Sequence, residues 1–354
     1  MRQTANAGAF ANGGAGAILD GGVRDVRKIR PDYDFPVFAH SEVAVHADIL
    51  ALGEPMVEFN QTGEGAGRLY LQGFGGDTSN AAIAAARQGA RVGYVSAVGD
   101  DVYGQMLREL WQREGVDDAG VRTDAQAFTA VYFVDHDAAG HHFSFFRKGS
   151  AASRMTAQDL PRERIAAAKV LHLSGISAAI SDSACDACFA AVETARAAGV
   201  QVSFDTNLRL KLWPIARARA VMRELIRQST ICLPSLEDVQ AISGLQDADA
   251  LLDFCLGLGA RVVALKMGAE GALVSDGTQR WRLPPHRCRP VDATGAGDTF
   301  GGALLARLVA GDGLRDAARY AVVASALSTE GYGAVEPIPR AAQVQAALKE
   351  YPAG

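Results

Sequence analysis

From Ala47 onward, apolar and polar residues alternate in blocks that read as strand, turn and helix. The run Ile49-Leu50-Ala51-Leu52 stops at Gly53-Glu54-Pro55, the pattern of a short strand buried on both faces. Met56–Phe59 and Arg68–Leu71 read as short extended pieces around a Gly-rich turn. Gly73-Phe74-Gly75-Gly76-Asp77-Thr78-Ser79-Asn80 then leads into an Ala-rich helix ending near Gly89, and Arg91–Val98 is the next strand. Phe128–Asp135 and His141–Arg147 alternate as strands, with Asp137-Ala138-Ala139-Gly140 as the hairpin turn between them. Together with Met56–Leu71 they predict a minor antiparallel sheet, a lid beside the main one.

After the lid the chain settles into repetition. Val170–Leu173 is followed by a helix to Ala198, Val200–Phe204 by a helix through Leu225, Ile231–Leu233 by a helix near Glu237–Ile242, and then comes Val262–Leu265. Such alternation predicts an α/β fold, a mainly parallel sheet with helices on both faces. Ligands of these sheets bind beyond the carboxyl ends of the strands, where Asp205, Ser235, Lys266 and Gly268 fall. Residues 1–45, rich at first in Ala, Gly and Asn and without a sustained apolar period, read as a partly disordered extension before a domain spanning 46–354, with the lid at about 56–74 and 127–148.

Composition narrows the function. Of 354 residues 49% are apolar and 21% charged, an ordinary balance for an α/β enzyme, and the formal net charge of −5 offers no basic field for nucleic acid. No stretch of about 18 apolar residues marks a membrane span, and the N-terminus lacks the basic start and apolar run of a secretory signal, so the expectation is a cytoplasmic protein without membrane or nucleic-acid partners. The five cysteines are scattered and odd in number, which is no disulfide framework. Cys185-Asp186-Ala187-Cys188 opens an Ala-rich helical stretch without a second Cys/His pair, and reads as small helix residues. His141 and His142 read as solvent-facing strand residues, His172 as packed at a strand end, and Trp111, Trp213 and Trp281 as packing residues.

The chemistry concentrates in Asp292-Ala293-Thr294-Gly295-Ala296-Gly297-Asp298, which precedes an apolar helix. Gly295 and Gly297 clear side chains from a helix N-terminus whose free amides and dipole hold anionic charge, and Asp298 falls in its first turn. Alone, such an aspartate reads equally as a helix cap. The turn resembles the second signature of the ribokinase-like (PfkB) carbohydrate kinases. Gly75-Gly76-Asp77-Thr78-Ser79-Asn80 is similar to the family's N-terminal glycine signature, and Val263-Ala264-Leu265-Lys266-Met267-Gly268-Ala269-Glu270-Gly271 to its phosphate-binding strand and turn. No Walker loop occurs, so ATP binding must use this alternative. A dinucleotide fingerprint is also missing, since Gly73-Phe74-Gly75-Gly76-Asp77-Thr78 lacks the third glycine.

Within the family, four passages resemble 2-keto-3-deoxygluconate kinases: Gly53–Met56, Phe145–Ser153, Leu171–Ile176 and Asp205–Trp213. Similar Asp-x-Asn-x-Arg segments occur in fructokinases. The resemblance implies a ribokinase-like fold and an ATP-dependent kinase of a sugar acid, with fructose or another neutral sugar as the alternative substrate and a non-catalytic nucleotide-binding regulator as the alternative class. It implies Asp298 as catalytic base, with Gly295, Ala296 and Gly297 amides stabilising the phosphoryl group; Gly76, Asp77, Asn80, Tyr132, Phe145, Arg147 and Arg209 at the sugar; and Asn207, Arg209, Ser235, Lys266, Gly268, Gly271, Gly295 and Gly297 at ATP. Phe145 stands where the family often has Tyr. An Arg fork matches a carboxylate in two charge-assisted hydrogen bonds, which makes Arg147 and Arg209 the acid-sugar candidates; Arg209 fits ATP phosphate equally. Mg²⁺ is implied, with Glu237 or Asp238 acting through water because Ser235 and Asp238 replace the family's Asn and Glu. A monovalent cation (K⁺) near Asp292 and a homodimer through the lid complete the expectation.

Overall fold

The computed structural model describes residues 47–62, 69–137 and 140–352; the extension and the middle of the 137–140 turn lie outside them. The strands are β1 (Ile49–Leu52), β2 (Met56–Thr62), β3 (Leu69–Gly75), β4 (Val92–Gly99), β5 (Val116–Asp124), β6 (Val131–Asp137), β7 (Gly140–Phe146), β8 (Val170–Ser174), β9 (Gln201–Asp205), β10 (Ile231–Leu233), β11 (Val262–Lys266), β12 (Ala272–Ser275) and β13 (Arg280–Leu283). The helices are α1 (Asp77–Arg87), α2 (Val102–Glu114), α3 (Arg162–Ala167), α4 (Gly175–Ala179), α5 (Asp182–Ala197), α6 (Ile215–Gln228), α7 (Leu236–Ser243), α8 (Ala248–Leu258), α9 (Ala296–Val309), α10 (Leu314–Ser328) and α11 (Ala341–Leu348).

Among the described residues the main sheet has the order β13-β12-β11-β10-β9-β8-β1-β4-β5. It is parallel from β5 to β11, and β12 and β13 add antiparallel. The central strands are apolar runs buried throughout, as helices on both faces require. The second sheet has the order β3-β2-β6-β7: two antiparallel hairpins joined by a parallel β2–β6 pairing. Phe59, Phe133, Tyr70 and Phe146 interlock there, Phe59 stacking on Phe133 at 5.1 Å between centroids and Tyr70 meeting it edge-on at 5.4 Å.

The expected elements are present, with differences that have physical causes. The strand expected from Phe128 begins at Val131, because Phe128 and Thr129 serve a loop in which the Thr129 amide donates to Asp101. The helix expected to run to Ala198 is broken at Ser181, which caps α5 by accepting from the Ala184 amide. The pattern did not yield α2, α3, α8, α10, α11, β5, β12 or β13. β5 is an edge strand reading Val-Asp-Asp-Ala-Gly-Val-Arg-Thr-Asp, exposed at alternate residues and bulged against β4, so its hydrophobic signal is weak. Cys185 and Cys188 are buried within α5, Trp111 and Trp213 are core residues, and His172 is buried inside β8 rather than at its end, Nδ1 3.1 Å from Ser203 Oγ. His142 is exposed on β7; the side chain of His141 lies outside the described residues. No helix among the described residues is long and apolar enough to cross a membrane.

Two helices decide what meets at the sheet's carboxyl edge. α1 starts at Gly76, with φ 102°, where a Cβ would lie 2.4 Å from the Glu54 carbonyl oxygen; only glycine brings the helix so close to the end of β1. α9 starts at Gly295, with φ 76°. The two helices then pack backbone to backbone: a Cβ on Gly302 would be 2.2 Å from the Ala81 carbonyl oxygen. That contact fixes the relative height of their N-terminal turns.

Candidate active site

At the carboxyl edge a cleft of about 1190 Å³ opens between the sheet and the lid. Its walls include Gly76, Asp77, Asn80, Tyr132, Phe145, Arg147, Asn207, Arg209, Ser235, Glu237, Asp238, Lys266, Gly268, Gly271, Gly295, Ala296, Gly297 and Asp298. The structure thus gathers the expected sugar, ATP, catalytic and magnesium residues into one cavity; Asp292, expected near a monovalent cation, is not among its lining residues.

At its centre, Asn80 Nδ2 donates to Asp298 Oδ2 at 2.9 Å, joining the first turns of α1 and α9 across 218 residues of sequence. Asn80 Oδ1 is buried and accepts no hydrogen bond among the described residues, an acceptor left for a ligand hydroxyl. Beside it Asp77 Oδ2 accepts from Asn207 Nδ2 at 2.9 Å, and Asp205 Oδ2 from Lys266 Nζ at 2.5 Å. Burial, and then the nearby Asp77 charge, push the Asp298 carboxyl up to about 7; Asp205 adds to this, while Asn80 and Lys266 oppose it. Asp77 is likewise raised, by burial first. Asp298 therefore sits near the value that suits a general base at neutral pH.

The turn before α9 is shaped for an anion. A Cβ on Gly295 would be 2.8 Å from the Ala334 carbonyl oxygen, and Lys266 Nζ lies 3.5 Å from where a Cβ on Gly297 would be. Free amides at a helix start, a helix dipole and an ammonium group converge there. Asp292 braces the turn, accepting from the Thr294 amide and hydroxyl at 2.9 and 2.6 Å and from the Gly333 amide at 2.9 Å.

The lid side holds residues that the sequence reading did not assign. Glu54, just past β1, is 1% exposed; it accepts from Ser150 Oγ at 2.5 Å and pairs with the Arg147 guanidinium. Glu58 is buried and accepts from the Tyr132 hydroxyl. Tyr132 stacks on Phe145 at 5.4 Å between ring centroids. Arg147 is thus matched by a carboxylate of the protein itself. Arg209 is exposed at the rim, where Nη1 donates to the Leu208 carbonyl at 2.9 Å. Glu54 falls in the quoted Gly53–Met56 passage, but nothing in sequence spacing pairs it with Arg147.

Of the two acidic residues expected near a metal, Glu237 is exposed on the cleft and Asp238 is buried, its Oδ2 accepting from Thr206 Oγ1 at 2.9 Å. Ser235 caps α7 by accepting from the Asp238 amide at 3.3 Å. The far wall is built by Pro285, His286, Cys288, Val322, Ala326 and Thr329, a mainly apolar slot that the sequence reading did not foresee because its two segments lie well apart in the chain.

This cleft, between a parallel sheet with an anion turn and a β lid, is that of a sugar kinase. Residues 46–341 match the model of the pfkB family carbohydrate kinases, and the chain belongs to that family. A 2-dehydro-3-deoxygluconokinase of Thermoproteus tenax is 33% identical over 315 residues, 85% of this chain and 94% of the relative. Fructokinase-1 of Oryza sativa subsp. japonica is 32% identical over 312 residues, 84% of this chain and 96% of the relative. Among solved structures, a fructokinase double mutant from Vibrio cholerae O395, determined with fructose, ADP and potassium ion, superposes with a TM-score of 0.77 at 27% identity, covering 86% of this chain and 99% of that one. The protein is an ATP-dependent carbohydrate kinase.

Proposed function

We propose that the kinase phosphorylates a sugar acid, 2-keto-3-deoxygluconate, to its 6-phosphate. The observation that carries this reading is Arg209: it stands on the cleft rim and forms no ion pair among the described residues, whereas Arg147 is already paired with Glu54. A guanidinium left in this state matches a substrate carboxylate, which a neutral hexose does not offer. In this reading Asp77 and Asn80 hold sugar hydroxyls, and Asn80 also orients Asp298. Tyr132, Phe145 and Gly76 shape the wall. Asp298 takes the proton of the attacking hydroxyl, and the Gly295 and Gly297 amides stabilise charge on the transferring phosphoryl group, the Ala296 amide being already given to the Ala293 carbonyl at 3.2 Å. Lys266, Gly268, Gly271 and Ser235 line the nucleotide side and the apolar slot receives the base, while Asn207, expected at ATP, falls in this reading on the sugar side because its side-chain amide is given to Asp77.

Mg²⁺, when bound, neutralises phosphate charge and keeps most of its waters. Glu237 is the carboxylate free to hold one of those waters, because Asp238 is engaged with Thr206. A potassium ion beside Asp292 belongs to the same reading. So does a cytoplasmic homodimer joined through the lid, where Leu69, Leu71 and Phe146 are exposed. The second reading, a fructokinase, is favoured by the Arg147–Glu54 pair, which removes one cation from substrate recognition.

The test is ATP turnover on 2-keto-3-deoxygluconate, 2-keto-3-deoxygalactonate, gluconate, fructose and ribose, with Arg209→Met alongside. We expect the highest kcat/KM on 2-keto-3-deoxygluconate. Arg209→Met should lower it at least ~30-fold, the loss of a bidentate ion pair, while changing fructose turnover less than ~3-fold. A clear preference of the parent enzyme for fructose overturns the acid-sugar reading.

A further inference from the structure

The turn after β9 is the most constrained piece of backbone in the cleft. Asn207 has φ 29°, in the left-handed region that residues with a Cβ avoid, so the turn has to be held by its surroundings. Its grip on the site is direct, through Asn207 Nδ2 to Asp77 Oδ2. From inside the turn, the Asn207 amide donates to Asp205 Oδ1 at 3.2 Å. From below, Gly175 lies against it so closely that a Cβ would stand 2.0 Å from the Thr206 carbonyl oxygen. From α7 it is held by Asp238, which accepts from the Thr206 hydroxyl and faces the Leu208 amide; the same Thr206 oxygen accepts from the Ser235 amide at 3.3 Å. Thr206 is wholly buried and Asp238 is 9% exposed. A buried carboxylate with these partners is committed to the turn, since withdrawing it leaves the hydroxyl and amide unsatisfied.

We propose that Asp238 is a positioning residue for sugar recognition: by anchoring Thr206 and Leu208 it sets Asn207 against Asp77 and places Arg209 at the rim. Asp238 therefore acts on the sugar side of the reaction and does not organise the metal. The inference rests on the reading that Asp77 holds the sugar.

The experiment uses the full chain with the best substrate of the panel, and three variants: Asp238→Asn, Thr206→Val and Asp77→Asn. Sugar KM, ATP KM and the Mg²⁺ concentration for half-activation are measured, with sugar binding by calorimetry in the absence of nucleotide. For Asp238→Asn we expect sugar KM and Kd to rise roughly tenfold, and for Thr206→Val about threefold to fivefold, the scale of losing a buried hydrogen bond to a charge. ATP KM and half-activating Mg²⁺ should stay within about twofold, which distinguishes positioning from a general loss of fold. Thr206→Val, nearly the same shape, keeps the test decisive should Asp238→Asn fold poorly. A Mg²⁺ requirement raised about tenfold with sugar KM unchanged overturns the proposal, as does no change in either. If Asp77→Asn raises sugar KM and the other two variants do not, the inference alone fails; if Asp77→Asn leaves sugar KM unchanged, the placement of the sugar fails first.

Discussion

Asp298→Asn should make the protein more stable while nearly abolishing its activity. In the fold the Asp298 carboxyl titrates at about 7, against an ordinary 3.8, because it is buried and faces Asp77 and Asp205. A carboxyl with a raised folded value binds its proton more tightly in the native state than in the unfolded one. Stability therefore falls as pH rises from about 4 to about 7, and the full cost of the charge is present above 7. The difference, about three units at 1.36 kcal/mol each, is about 4 kcal/mol; the side of Asp298 open to the cleft lets water screen part of it, so about 2–4 kcal/mol is the range expected. Asparagine keeps the shape and an oxygen for the Asn80 amide but carries no charge. At pH 8 the variant should melt about 4 °C or more above the parent; the gap should shrink to less than half by pH 5 and close below about pH 4, where the unfolded carboxyl is protonated as well. Turnover at pH 8 should drop at least ~100-fold with ATP binding nearly unchanged, the loss expected for a general base. Melting curves from pH 4 to 8 and a steady-state assay are sufficient. A variant no more stable than the parent at pH 8, or a gap that does not change with pH, refutes the electrostatic argument; equal turnover removes Asp298 from the role of base.

Glu237→Gln should raise the half-activating Mg²⁺ concentration about tenfold and leave sugar KM within about twofold, because a single outer-sphere carboxylate acts on the ion and not on the sugar; titration of activity with Mg²⁺ at fixed ATP checks this. Gly302→Val should push α9 off α1, where a Cβ would already meet the Ala81 carbonyl oxygen at 2.2 Å. Overpacking of this kind costs about 2–3 kcal/mol, and because it also parts Asn80 from Asp298, kcat measured well below the melting temperature should fall with it.

The parallel sheet and the gathering of residues at the carboxyl ends of its strands were legible because buried parallel strands are apolar runs separated by helical stretches, whereas the order of the strands was not. β5 escaped notice because an edge strand needs little apolar surface. The residue types of the site were legible too, since Gly295, Gly297 and Asp298 stand together in one turn. Their partners were not. The Asn80–Asp298 hydrogen bond exists only because Gly302 and Ala81 let two helices touch, and sequence spacing carries no trace of a contact across 218 residues. Asp238 shows the same gap: as a residue type it suited a metal site, and only its burial against Thr206 reveals the other commitment.

The charges facing the cleft set the terms on which an acid sugar would be told from a neutral one. Asp77, Asp205 and Asp298 face the cleft, so a substrate carboxylate enters a region of like charge. Lys266 is held by Asp205 and Arg147 by Glu54, each cation matched within the protein before any ligand arrives. Arg209 stands at the rim without an ion pair among the described residues, as do Lys211 and Arg287 of the cleft wall. In the acid-sugar reading proposed above, selectivity for a carboxylate would rest on Arg209 and the backbone beneath it, where a neutral sugar would need only the hydroxyl contacts of Asp77 and Asn80. In that reading two kinases with the same catalytic turn would differ in substrate through Arg209, while Asp205 of the same segment stays with Lys266 beside the anion turn.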